Sequence, residues 1–268
     1  MTTRRLDAVL VERGLARSRA AAVELISSGK VAVDDRPIVK PSTPIADGAR
    51  ISVTGADHYV SRGAHKLVAA LDAFDCDVSD QLVLDVGAST GGFTQVLLER
   101  GAREVIALDV GHDQLASSLR SDSRVRVVEG FNVRDLSRDA LAEHAGTGEP
   151  PSVIVGDLSF ISLRYVLDPL RQTGTDDADV ILLIKPQFEV GRTGVREGIV
   201  RDPARRIDAV QSVLWLAWDA GLGVCGLERS PVVGTHGNSE YLVHMHAQHG
   251  SNPTEWMRRA EQLAGGDE

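Results

Sequence analysis

The stretch Gln81 to Thr94, Gln-Leu-Val-Leu-Asp-Val-Gly-Ala-Ser-Thr-Gly-Gly-Phe-Thr, constrains the fold more than any other part of the chain. A short apolar, β-branched run at Leu82, Val83, Leu84 and Val86 ends in small residues, and a helical pattern follows from Phe93 to Leu98. That order predicts a strand, a tight loop and a helix start. Gly87, Gly91 and Gly92 permit positive φ and close backbone approach, while the first N–H groups of the next helix point at whatever the loop holds. Three readings fit: a plain strand-to-helix turn, a dinucleotide site, or a site for another nucleotide-like ligand. The dinucleotide fingerprint matches poorly, because the spacing is Gly-x-x-x-Gly-Gly and Asp85, two residues before the first glycine, would repel a pyrophosphate. A cationic or amine-bearing ligand suits such a loop better.

The segments that follow repeat the strand-and-helix alternation of an α/β chain. Arg103 to Asp109 reads as a second strand whose terminal acid stands at the spacing needed to hold ribose hydroxyls. Together Asp85 and Asp109 favour S-adenosylmethionine, a nucleoside carrying both a sulfonium and an ammonium. Asp113 to Leu119 is expected to be a helix and Val125 to Val128 a third strand, with Asn132 or Asp135 at the adenine edge. Ser152 to Asp157 and Val180 to Lys185 are the fourth and fifth strands, and in a parallel sheet Asp157 and Lys185 emerge at the same carboxyl edge as the glycine loop. Gly191 to Asp202 is a Gly/Arg-rich loop, either a substrate-contact segment or a plain connection. Ile207 to Ala220 is a helix with Trp215 and Trp218 expected in the core. Leu222 to Leu227 and Tyr241 to His246 close the sheet, with Glu240 at the start of the last strand, and Pro253 to Leu263 forms a terminal helix on the surface.

The amino-terminal part differs in character. Leu6, Val9 and Leu10 make a helical stripe ended by Gly14; Ser18 caps a second helix whose apolar residues are Ala22, Val23, Leu25 and Ile26, and Gly29 ends it. Lys30 to Val33 and Pro37 to Val39 flank Asp34-Asp35 as a small hairpin. The net charge of −9 argues at first against a polyanionic partner, yet it is unevenly spread: through Lys66 there are eleven Lys and Arg against seven Asp and Glu. A basic head on an acidic body is the asymmetry expected when one segment grips a polyanion. The two cysteines, Cys76 and Cys225, are far apart and lack a ligand cluster, so no metal is expected and a reducing compartment is. No apolar run approaches the roughly 20 residues of a bilayer span, so a soluble cytoplasmic protein is expected.

Spaced motifs then carry a resemblance. Arg-Leu-Asp-x-x-Leu, Arg-Gly-Leu-Ala-x-Ser-Arg, Leu-Ile-x-x-Gly-x-Val-x-Val-Asp and Val-x-Lys-Pro, within residues 4 to 50, resemble the alpha-L RNA-binding domain of ribosomal protein S-four, with Asp34-Asp35 replacing the usual Asn-Gly or Asp-Gly. The resemblance implies RNA contacts through Arg4, Arg5, Arg17, Arg19, Lys30, Arg36 and Lys40, joined by Arg62 at the opening of the next domain. Residues 62 to 247 resemble the FtsJ-like heat-shock ribosomal-RNA ribose methyltransferases, whose Lys-Asp-Lys-Glu set falls on Lys66, Asp157, Lys185 and Glu240. Their glycine loop usually carries proline where Thr90 stands. With Ser-Arg-Gly-Ala-His-Lys-Leu, Asp-Leu-Ser-Phe-Ile-Ser and Lys-Pro-Gln-Phe-Glu, the whole chain is similar to the TlyA family, described as ribosomal-RNA cytidine-2′-O-methyltransferases and also called haemolysins.

The resemblance implies a Rossmann-like S-adenosylmethionine-dependent methyltransferase sheet over residues 58–268, preceded by a small α+β RNA-binding domain over 1–57. Cofactor contacts are expected from Asp85, Gly87, Ala88, Ser89, Gly91, Gly92, Phe93, Asp109, Val110, Asn132 and Asp157. Ribosomal RNA or ribosomal subunits are the expected partner. Lys185 is expected to take the ribose proton, provided burial and the nearby Lys66 disfavour its charge, with Asp157 orienting it and Glu240 holding Lys66. The rival readings are a non-catalytic ribosome-assembly factor and a membrane-lytic haemolysin.

Overall fold

The computed structural model describes residues 3–16, 18–53, 58–191, 194–234 and 237–266. Gly55-Ala56-Asp57-His58 reads in the sequence as a linker; its residues 55–57 and the expected RNA contact Arg17 lie outside the described residues. The chain divides into two compact units, Met1–His58 and Tyr59–Glu268.

In the smaller unit, β1 (Thr3–Arg5) leads into α1 (Leu6–Glu12), followed by α2 (Arg19–Ser27), β2 (Val31–Val33), β3 (Arg36–Pro37), β4 (Pro44–Ala46) and β5 (Ile51–Val53). Ser18 caps α2 by accepting from the Ala21 N–H at 3.2 Å, and Gly29 follows it at φ +71°. Leu6, Leu10, Ala22, Ile26, Val31 and Ile45 are buried together as the core. The β2–β3 hairpin turns on Asp34 and Asp35 at φ 50° and 63°. A two-residue turn of this hand needs positive φ at both positions, which aspartate tolerates at a cost. Arg50 offsets it: its backbone N–H donates to Asp34 Oδ1 at 3.0 Å and its guanidinium pairs with Asp35. The motif spacing gave no sign of β1, which pairs antiparallel with β4.

The larger unit comprises α3 (Ala64–Phe74), β6 (Leu82–Val86), α4 (Gly92–Glu99), β7 (Glu104–Leu108), α5 (Ser117–Arg120), β8 (Val125–Val128), α6 (Arg138–Ala145), β9 (Val153–Gly156), α7 (Leu167–Thr173), β10 (Asp179–Ile184), α8 (Pro186–Glu189), α9 (Pro203–Asp219), β11 (Gly223–Arg229), β12 (Tyr241–His246) and α10 (Met257–Gly265). The strands form one sheet in the order β11-β12-β10-β9-β6-β7-β8. β10, β9, β6, β7 and β8 run parallel, while β12 is antiparallel to both β10 and β11. Alternate residues serve the two faces: Leu82, Leu84 and Val86 pack with α7 and α9, while Val83 packs with α3 and α4. Burying each such side chain contributes roughly 1.5–3 kcal/mol.

Three expectations are corrected here. The helix expected from Asp113 is confined to α5, since Asp113 itself sits at φ 55°. Trp215 and Trp218 are 39% and 41% exposed rather than core, because α9 buries the stripe of Val210, Val213, Leu214 and Ala217. The terminal helix begins as a 3-10 turn at Pro253–Trp256, and Ala260 and Ala264 of α10 are fully buried against α9.

Candidate active site

β6 is bordered by β7 on one side and β9 on the other, so the winding reverses between β6 and β9 and a crevice opens at their carboxyl ends. A cavity of about 610 Å³ occupies it, within the usual size of a small-molecule site. The glycine loop lines one side through Gly87, Ala88, Ser89, Gly92 and Phe93, and Lys66, Asp157, Lys185 and Glu240 line another. Four charged residues spread over 174 sequence positions thus share one cavity. Asp157 directly follows β9 and Lys185 directly follows β10, so both leave the sheet at its carboxyl edge. Glu240 precedes β12, and because β12 is antiparallel its beginning lies at that same edge, with Tyr241 paired to Ile184. Lys66 reaches in from the first turn of α3.

Asp157 joins the two lysines: Oδ1 lies 2.7 Å from Lys185 Nζ and Oδ2 lies 3.0 Å from Lys66 Nζ. Glu240 Oε2 closes the other side of Lys66 at 2.6 Å. Burial opposes charge on Lys66, but the Asp157 and Glu240 carboxylates outweigh it and hold the ammonium above the ordinary lysine range. Burial likewise pushes Asp157 up, and Lys185 and Lys66 pull it below the usual carboxylate range. Lys66 is therefore a fixed cation and Asp157 a fixed anion. Lys185 Nζ also donates to Ser159 Oγ at 2.8 Å and approaches the Asp157 carbonyl at 3.5 Å.

The cofactor candidates separate into two groups. Gly87, Ala88, Ser89, Gly92, Phe93 and Asp157 line the cavity; Asp85, Gly91, Asp109, Val110 and Asn132 do not. Asp85 lies beneath the loop, 1% exposed, accepting from Thr94 Oγ1 at 2.6 Å, and burial pushes its carboxyl up to about 7. It therefore presents no exposed charge to repel a pyrophosphate, contrary to the expectation. Gly91, at φ +95°, faces Leu119 and Leu115, where an added Cβ would meet a methyl at 2.3 Å. Asp109 braces the loop, accepting from the Ser89 N–H at 2.8 Å and the Gly111 N–H at 2.7 Å, and keeps further lone pairs on both oxygens. Asn132 uses its side-chain oxygen to cap a 3-10 turn at Arg134, and Val110 is 68% exposed.

The cavity also holds residues that lie within the quoted motifs but were not among the expected site residues. Phe160, 90% exposed at φ 63°, stands 5.3 Å from Phe188 between ring centroids, and the Phe188 ring lies 6.0 Å from Lys185 Nζ. Ser159 had a legible signal, a hydroxyl two residues past a strand-end acid. Among the expected RNA contacts, Arg62 is exposed and lines the cavity, while Lys30, Arg36 and Lys40 are exposed on the smaller unit. Arg4 is held by Glu12 and Asp47, Arg5 pairs with Asp7 at 2.7 Å, and Arg19 lies 3.7 Å from Asp7.

Residues 59–247 match the FtsJ-like methyltransferase family and residues 4–51 the S4 domain. The 16S/23S rRNA (cytidine-2′-O)-methyltransferase TlyA of Mycobacterium tuberculosis H37Rv is 49% identical over 91% of this chain and 90% of its own. The chain belongs to the TlyA family. Hemolysin A of Brachyspira hyodysenteriae, 38% identical over 90% of this TlyA-family chain and 98% of its own, is a further relative. A solved Streptococcus thermophilus structure described as a hemolysin candidate superposes with a TM-score of 0.72 at 36% identity, covering 98% of the TlyA-family chain and 97% of its own. The amino-terminal S4 domain and the methyltransferase-type sheet that follows it are those the family resemblance implied.

Proposed function

We propose that this chain transfers a methyl group from S-adenosylmethionine to the 2′-hydroxyl of a cytidine ribose in ribosomal RNA. The observation that carries the reading is the chain of ion pairs Glu240–Lys66–Asp157–Lys185, facing the glycine loop across a single cavity. The residues fit the cofactor. Gly87, Ala88, Ser89 and Gly92 bring loop backbone to the cavity wall, and half-buried Asp109, just after β7, keeps lone pairs on both oxygens for ribose hydroxyls. When bound, S-adenosylmethionine supplies an electrophilic methyl on a sulfonium.

The chain's own residues prepare the oxygen. A ribose hydroxyl is a poor nucleophile at neutral pH, so its proton must leave as the new C–O bond forms. In its neutral form Lys185 takes that proton at Nζ, and Asp157 Oδ1 then stabilises the resulting ammonium. Lys66 stays charged between Asp157 and Glu240, balancing the two acids and locking the carboxylate that aims Lys185. Phe160 and Phe188 offer aromatic faces on which a base can stack. Most of the acceleration then comes from positioning and fixed charge rather than from a covalent intermediate. Lys30, Arg36 and Lys40 give the smaller unit a phosphate-seeking surface, and Arg62 does so at the cavity.

No described helix is long and apolar enough to cross a membrane. Mapping ribose methylation on ribosomal RNA with the purified full chain and labelled methyl donor tests the proposal; a protein that binds the donor and the subunits yet transfers no methyl group would refute it.

A further inference from the structure

The two lysines of the site are held differently. Lys66 has two carboxylates, Asp157 at 3.0 Å and Glu240 at 2.6 Å. Lys185 has one, Asp157 at 2.7 Å, and its second close oxygen is the Ser159 hydroxyl at 2.8 Å. Among the described residues no second acid pairs with Lys185. A single carboxylate oxygen leaves the terminal nitrogen free to rotate about its last carbon bond, and with it the direction of its lone pair. A second acceptor removes that freedom. If the second acceptor were an anion, as for Lys66, it would also hold the proton that a base must lack.

We propose that Ser159 is a positioning residue for Lys185: its hydroxyl fixes the amine as Glu240 fixes Lys66, but without the charge that would keep the amine protonated. This rests on the reading of Lys185 as the group that takes the ribose proton. The turn that carries Ser159 is itself pinned. Glu189 of α8, four residues after Lys185, accepts from Ser162 Oγ at 2.6 Å and from the Leu163 N–H at 3.0 Å. Those bonds hold the far end of a segment in which Phe160 adopts φ 63°, a conformation that strains a bulky residue. Lys185 and Ser159 therefore have two links between their segments, one through their own bond and one through Glu189. The charged groups around Lys185 are Asp157 after β9, Lys66 and Arg62 from the α3 side, Glu240 before β12 and Glu189 on α8.

The test is steady-state methylation of ribosomal subunits by the full chain and its Ser159 variants, with donor affinity measured separately by calorimetry. Ser159→Ala is expected to lower kcat on the order of tenfold, with KM for the subunit and donor affinity within twofold. Ser159→Thr keeps the hydroxyl and is expected to recover most of the loss. Ser159→Asp keeps an acceptor but adds charge, so its rate should rise toward higher pH by about one unit relative to the unsubstituted chain. Full kcat in Ser159→Ala, equal losses in the Ala and Thr variants, or an unshifted pH profile in Ser159→Asp would each overturn the proposal. Lys185→Ala, run alongside, separates the two readings. If it stays active the base assignment fails; if it is inactive while Ser159→Ala is normal, only the role of Ser159 fails.

Discussion

Replacing Asp85 by Asn should change how the stability of the larger unit depends on pH. The carboxyl is 1% exposed and titrates near 7 in the fold, against 3.8 for the ordinary group, because burial penalises its charged form more than the Thr94 hydrogen bonds support it. The fold therefore binds this proton more tightly than the unfolded chain does. The contribution is fully present below pH 3.8 and is lost as pH rises through about 7. At about 1.4 kcal/mol per unit the full shift is about 4 kcal/mol, of which about 3 kcal/mol is lost between pH 5 and pH 8. Asn accepts the Thr94 hydroxyl but does not ionise, so Asp85→Asn should gain about 3 kcal/mol on the unsubstituted protein between pH 5 and pH 8. All three tryptophans, Trp215, Trp218 and Trp256, belong to the larger unit, so tryptophan fluorescence during urea unfolding follows that unit alone. Parallel stability profiles for the two proteins would refute a buried carboxyl that takes up a proton on folding.

Lys185→Ala should abolish methyl transfer and leave donor affinity nearly intact; a parallel fall in both would show that Lys185 holds the donor instead. Glu240→Ala leaves the buried Lys66 with one acid and should destabilise the larger unit by about 3 kcal/mol at neutral pH, read by urea unfolding. Gly91→Ala places a Cβ 2.3 Å from Leu119 at φ +95° and should cost roughly 2 kcal/mol or more, with a lowered Tm even without ligand. Replacing Lys30, Arg36 and Lys40 together by Ala should weaken RNA binding and flatten its salt dependence, whereas Arg4→Ala, whose guanidinium is held by Glu12 and Asp47, should do so much less.

The glycine loop was legible because strand, turn and helix are local patterns. The same holds for the strands ending at Asp157 and Lys185, where an apolar run meets a charge. Local patterns do not record which face a side chain takes. Asp85 looked like a ligand-facing acid, yet alternation along β6 turns it toward α4 and beneath the loop. Gly91 looked like a ligand glycine, yet its neighbours are Leu115 and Leu119. Arg4 looked free for RNA, yet Glu12 and Asp47, brought near by the fold of the small unit, occupy it, and Arg5 pairs with Asp7 two residues on.

The amino-acid sequence by itself determined the two-domain order, the strand ends that carry the charged residues and the loop that turns on glycine, since each follows from spacing within a few turns or strands. The tertiary structure alone decided that β12 runs against its neighbours and enters between β10 and β11. That reversal sets Glu240 at the carboxyl edge opposite Lys185, and the parallel pairing of β9 with β10 brings Ser159, just past the end of β9, against the same amine. Strand direction and neighbour order depend on burying both faces of the whole sheet at once, a condition no short window of residues contains.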